Sequence, residues 1–126
     1  MPQQPPKLYY IARLWIELSQ QLERTMIPST RARPSARSGL VQVGTAVFIG
    51  TVEDRPMTAT NVADYIGIPR STVIRHLRTL RRDGRVQEIG GALYRTSSRQ
   101  LERMLRQDHR TAVKLVRSTS ERLSRS

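Results

Sequence analysis

Between residues 67 and 86 the chain reads GIPRSTVIRHLRTLRRDGRV, which sets six arginines and His76 around Val73, Leu77 and Leu80. The chemistry open to such a stretch is anion binding. A guanidinium is a planar fork of donors that meets phosphate oxygens, or O6 and N7 of guanine, in pairs. Basic runs on a helix are ordinarily a solvated face, so the surroundings must decide. If Val73, Leu77 and Leu80 face a core, then Arg70 or Ser71, Ile74, Arg75 and Arg78 point outward, while Arg81 and Arg82 flank the helix exit. On that arrangement Arg75 could hold guanine, Ser71 and Thr72 could bond phosphate or base edges, and Ile74 could meet a thymine methyl group. Arg78, Arg81, Arg82, Arg85 and Arg95 are placed to hold phosphate.

The whole chain supports an anionic partner. Its 126 residues carry a formal charge of +12, from 22 basic against 10 acidic residues, and every basic residue except Lys7 and Lys114 is arginine. The excess lies in residues 31–38 and beyond residue 58. A polyanion is the natural partner, with nucleic acid ahead of an acidic membrane surface.

Catalysis finds no constellation. There is no cysteine, which removes disulfides and thiolate metal sites. His76 and His109 are the only histidines; neither has a carboxylate cluster beside it, and His76 reads as a surface or partner-packing residue. Glu53 and Asp54 are adjacent and point different ways, as at a helix end. Gly90-Gly91 belongs to a turn rather than a phosphate loop. No cofactor, metal or enzymatic activity is expected. The N-terminal MPQQPPKLYYIARLWIELSQ lacks the pattern of a signal peptide, and no apolar run has the length of a membrane span. A soluble cytoplasmic protein without a membrane partner is expected.

Elements must position the arginines. With 37% apolar but only 5% aromatic residues, the core must be largely aliphatic. Ile11, Leu14, Trp15, Leu18, Leu22 and Met26 follow helical spacing over about 7–25, ended by Pro28. Residues 1–27 thus form a helical segment, and 28–38, rich in Pro, Ser and Arg, read as a basic linker. There Arg31, Arg33 and Arg37 could form an arm on the DNA backbone, although an inert linker is preferred. Residues 40–53 suit a strand by composition and a buried helix by length, and helix is the reading taken. Residues 58–67 give a short helix with Thr60 as N-cap and Gly67 in the C-terminal turn. Arg70 to Arg82 give a second helix, started by Pro69 and stopped by Asp83-Gly84. VQEIGGALYRT gives a hairpin turning at Gly90-Gly91, with Tyr94 beneath it. One helix then runs from Ser97 or Ser98 to about Arg117 or beyond, with Leu101, Met104, Leu105, Asp108, Ala112, Leu115 and Val116 on one side and the tail TSERLSRS frayed. Its Arg99, Arg103, Arg106 and Arg110 either extend the positive surface or form the wet side of a dimerisation helix. The fold expected is mainly α with a small β-hairpin: a winged helix-turn-helix over 39–96, with the C-terminal helix of 97–126 and the N-terminal segment for dimerisation.

At TATNVADYIGIPRSTVIRHLRTLRRDGRV, residues 58–86, the chain resembles the winged-helix DNA-binding region of MarR-type bacterial transcription regulators, and the resemblance covers about residues 40–96. It implies a dimeric repressor or activator whose terminal helices form the interface and whose two recognition helices enter successive major grooves. It places Arg70, Ser71 and Thr72 at the recognition helix's N-terminal end near bases and phosphates, with Arg75 one turn on, and it allows a small-molecule effector to which no residue is assigned. The wing departs from the family pattern. Its tip is only Ile89-Gly90-Gly91-Ala92, which leaves little to enter a minor groove.

The reading taken is a sequence-specific double-stranded-DNA-binding regulator, homodimeric through Leu14, Trp15, Leu18, Leu22, Leu101, Leu105, Ala112 and Leu115, on a roughly palindromic operator. The alternatives are an architectural or assembly protein, as in plasmid partition or phage packaging, using the same fold with low sequence preference, and a winged helix serving protein contacts.

Overall fold

The turn at the centre of the basic stretch is fixed by its neighbours. Thr58 closes a capping box: its hydroxyl accepts from the Asn61 amide at 3.1 Å and the Asn61 side chain accepts from the Thr58 amide at 3.1 Å, which satisfies two donors that a helix start leaves open. Thr58, not Thr60, is therefore the N-cap. Helix α3 (Ala59–Ile66) ends at Gly67, whose φ of 74° is the left-handed conformation that glycine adopts without strain. Ile68 and Pro69 follow, and Pro69, extended at φ −60°, caps α4 (Arg70–Arg82).

A computed structural model describes residues 4–27 and 33–126, the side chains of Pro34 and Ser35 excepted. Besides α3 and α4 the elements are α1 (Lys7–Met26), α2 (Pro34–Val52), the antiparallel strands β1 (Val86–Ile89) and β2 (Leu93–Thr96), α5 (Ser98–Arg106) and α6 (Arg110–Ser124). This is a mainly helical chain with a two-stranded hairpin, in the order of a winged helix-turn-helix. No described helix is long and apolar enough to cross a membrane.

The chain divides into two units, Met26–Arg106 and the terminal segments up to Thr25 and from Gln107 onward. In the first, α2 is the central element. Its Leu40, Val43, Ala46 and Val47 recur every three or four residues and are buried, so the strand-like composition of this segment is overridden by a helix that packs on α3, α4 and β2. Val62 and Ala63 of α3, Val73, Leu77 and Leu80 of α4, Val86, Met104, Met26 and Ile27 complete the core. At Gly50 an added Cβ would lie 2.7 Å from the Arg55 carbonyl oxygen; glycine is what lets α2 turn sharply into α3. Thr51 ties the end of α2 to the hairpin by accepting from the Thr96 amide at 2.8 Å, and the Tyr94 amide donates to the Met57 carbonyl at 2.8 Å.

Three boundaries differ from the sequence reading. The stretch expected as linker is helical from Pro34, because proline at the first helical position needs no N–H there. Arg31 lies outside the described residues. The single C-terminal helix is two, broken at residues 107–109, where the exposed Asp108 carboxylate captures the Arg110 amide at 2.9 Å, a local bond that competes with the helix ladder. Helix α6 then continues to Ser124, through residues expected to fray.

In the terminal unit, α6 buries none of its side chains and α1 only Met26, which belongs to the other unit. Leu14, Leu18, Leu22, Ala112 and Leu115 are half-buried, whereas Trp15 is 64% and Leu8 71% exposed. Leu14 and Leu115 line an open groove of about 310 Å³ between α1 and α6. In the other unit, Leu101 is half-buried and Leu105 is 67% exposed.

Candidate nucleic-acid interface

Helix α4 sorts its own side chains by angle. At 3.6 residues per turn, Val73, His76, Leu77 and Leu80 fall on the buried side, and Ser71, Arg75, Arg78 and Arg82 form one stripe on the opposite side, all exposed. Arg75, Arg78 and Arg82 form no ion pair among the described residues. Three guanidinium groups and a hydroxyl are thus presented in a line along about three turns, with Arg81 and Arg82 in the last turn, where cations also complement the helix dipole.

The remaining residues expected to meet DNA lie at the edges or inside. Arg70 is exposed, and its Nε donates to the Thr60 hydroxyl at 3.0 Å, which ties the start of α4 to the first turn of α3. Thr60, relieved of the capping role, is the acceptor that makes this tie. Thr72 is half-buried on the far edge. Ile74 was expected to face outward; it is half-buried and packs against the core, because its angle on the helix puts it beside the buried face. Arg81 is exposed, and its Nη1 donates to the Glu88 carboxylate of β1 at 3.0 Å.

Arg85 corrects the sequence reading most. Expected at the hairpin base as a phosphate ligand, it is only 7% exposed. Its Nη1 donates to the Met26 carbonyl at 3.1 Å and to Gln100 Oε1 at 3.3 Å, while Gln100 Nε2 donates to the same carbonyl at 2.9 Å. Burial, and then the nearby Arg103, draw its pKa below the ordinary arginine value against an opposing pull from Asp83. The side chain is a buried strut that holds the C-terminal end of α1 and α5 to the base of the wing. Arg95 is half-buried, with Nε donating to the Thr96 carbonyl at 3.2 Å, and Tyr94 packs against the core as expected.

His76 is likewise inside rather than on the surface. Its ring lies against α2 at Gly39, where an added Cβ would come within 2.4 Å of Nε2. Burial first, and then Arg75, lower its pKa, so the neutral ring is the form that fits. Among the described residues no group of three or more His, Asp or Glu side chains could hold a metal ion.

A short helix braced by a cap, a glycine turn, a second helix with a basic outer stripe and a hairpin behind it define a winged helix-turn-helix that binds DNA. Residues 52–90 match the model of the IclR helix-turn-helix domain, a DNA-binding domain of transcription regulators. The match runs from the end of α2 through α3, α4 and β1 to the hairpin turn, and it falls to the IclR type rather than to the MarR type that the sequence resembles. No curated protein and no solved structure matches the chain.

Proposed function

We propose that this chain is a sequence-specific, double-stranded-DNA-binding transcription regulator that acts in the cytoplasm as a homodimer on a roughly palindromic site, its half-sites about one helical turn apart. The exposed line Ser71, Arg75, Arg78 and Arg82 on α4 carries the reading. Arg75 and Ser71, nearer the helix start, read base edges; Arg78 and Arg82 hold phosphate on either side of the groove. Self-association is supported by the terminal unit. Leu8, Ile11, Trp15 and Ile16 on α1 and Val113 and Val116 on α6 are exposed, and two helices that bury so little of themselves need a further surface. Helix α1 carries Lys7, Arg13 and Arg24 against Glu17 and Glu23, so two copies can meet there with little of the repulsion the basic half would impose.

Selection of bound duplexes from a random pool, followed by footprinting and sedimentation, tests this. A recurrent inverted repeat protected by a dimer is expected. Equal affinity for random DNA at physiological salt would replace the regulator with a coating or assembly protein, and a monomer at micromolar concentration would remove the palindrome.

A further inference from the structure

The ion pair across the angle between α4 and the wing touches DNA recognition in a way the exposed stripe does not. In the hairpin register Val86 pairs with Thr96 and Glu88 with Tyr94. Because strand side chains alternate, Glu88 shares the face of buried Val86, toward α4, while Gln87 and Ile89 lie on the other. Arg81 sits on the wing-facing edge of α4, and the two meet at 3.0 Å with side chains 60% and 30% exposed. Glu88 is the sole carboxylate in residues 84–96, and the cations nearest it along the helix, Arg78 and Arg82, form no ion pair among the described residues.

We propose that Glu88 is a specificity-determining residue: its carboxylate, reaching from the wing to Arg81, withholds that guanidinium from the phosphate backbone and so suppresses sequence-independent binding. The inference rests on the DNA-binding reading above. An exposed pair of this kind adds little to stability, so its consequence is for the partner. Sequence-independent affinity grows with the number of phosphates neutralised, each contact adding to the steepness of its salt dependence. Base reading grows with contacts to base edges. A carboxylate that occupies one cation at the rim, and repels a phosphate that approaches it, subtracts from the first quantity and leaves the second with Arg75 and Ser71. The wing thereby contributes to selectivity without reaching a base, which suits its short tip.

The test compares the full-length chain with Glu88→Gln, Arg81→Ala and the double variant. Two probes are used: a 30-base-pair duplex of random sequence and a duplex enriched by selection. Glu121→Gln, which adds the same charge on α6, is the control. Glu88→Gln should bind random duplex about 3- to 10-fold tighter near 0.1 M salt, with a salt slope steeper by about one, and the ratio of selected to random affinity should fall. In the Arg81→Ala background the gain should shrink to that of the control. Unchanged or weaker random binding by Glu88→Gln, or a gain that persists in full without Arg81, overturns the proposal while wild-type binding stands. A wild-type chain that binds neither duplex overturns the DNA-binding reading as well.

Discussion

Replacing Arg85 separates a strut from a phosphate ligand. The side chain spends two charge-assisted bonds on Met26 O and Gln100 Oε1, and bonds of that class contribute about 1.5–3 kcal/mol each when one partner is ionised. Arg85→Met keeps the aliphatic stem and removes both. The Met26 carbonyl is not orphaned, since Gln100 Nε2 still donates to it at 2.9 Å, but Gln100 Oε1 loses this donor inside the protein. Against the loss stands the desolvation cost of a buried cation, which the substitution returns. The net expected is a destabilisation of about 1–3 kcal/mol, read as a fall in the urea midpoint with an unchanged slope. Random-duplex binding, measured where the variant is folded, should keep its salt slope, because a cation that is 7% exposed neutralises no phosphate. Arg85→Lys should recover part of the stability, since both bonds leave one nitrogen, Nη1, and an ammonium carries three donors. Unchanged stability with a salt slope shallower by about one would refute the reasoning and restore Arg85 to the DNA surface.

Arg75→Ala should cost about 1–3 kcal/mol of specific binding and relax the preference at one base pair; an unchanged binding curve and footprint would take Arg75 out of the reading set. Gly50→Ala should destabilise by about 1–3 kcal/mol through the clash with the Arg55 carbonyl, even though alanine favours a helix by about 1 kcal/mol; a stabilised variant in urea unfolding would show that the turn yields. His76, with its folded pKa lowered by burial and by Arg75, contributes stability that is fully present above its unfolded pKa of about 6.5. That contribution is lost as pH falls toward the folded value, because the unfolded chain then binds the proton first. His76→Gln should flatten this part of the acid limb in a pH series of urea midpoints, and an identical limb would exclude the ring as its source.

The helix-turn-helix was legible because each of its boundaries is set by a local rule: the turn at Gly67, the stop at Asp83-Gly84, the hairpin at Gly90-Gly91. Ser71, Arg75 and Arg78 of the exposed stripe were legible for the same reason, since Val73, Leu77 and Leu80 fix the buried angle of α4, but Ile74 and His76, which flank that angle and were expected outside, are drawn into the packing. What escaped the sequence depended on something outside its period. Leu101, Met104, Leu105, Asp108 and Ala112 continue one spacing across residues 107–109, so periodicity saw a single helix; the break comes from one carboxylate capturing Arg110, which spacing does not register. Thr58 carried a readable signal, a threonine three residues before Asn61, but Thr60 stood closer to the apolar run. Arg85 had no local signal at all, for its main acceptor, Met26, lies 59 residues away.

The same contrast changes how the charge of this protein translates into DNA contact. The six arginines of residues 67–86 look equivalent in the sequence, yet the fold assigns them three different states. Arg75, Arg78 and Arg82 are exposed and form no ion pair among the described residues; Arg70 and Arg81 are exposed but tied to Thr60 and Glu88; Arg85 is buried. Two of the ties join α4 to a neighbour, Arg70 to α3 and Arg81 to the wing, and Arg85, just beyond α4, joins the base of the wing to Met26 and to Gln100 of α5. A recognition helix must be held rigidly if its three unpaired guanidinium groups are to meet fixed positions on a duplex, and flexibility at either end would spread them over several registers. On the function proposed above, the tied arginines hold the helix that presents the others to DNA, and the net charge then overstates the number of phosphate contacts expected of this helix.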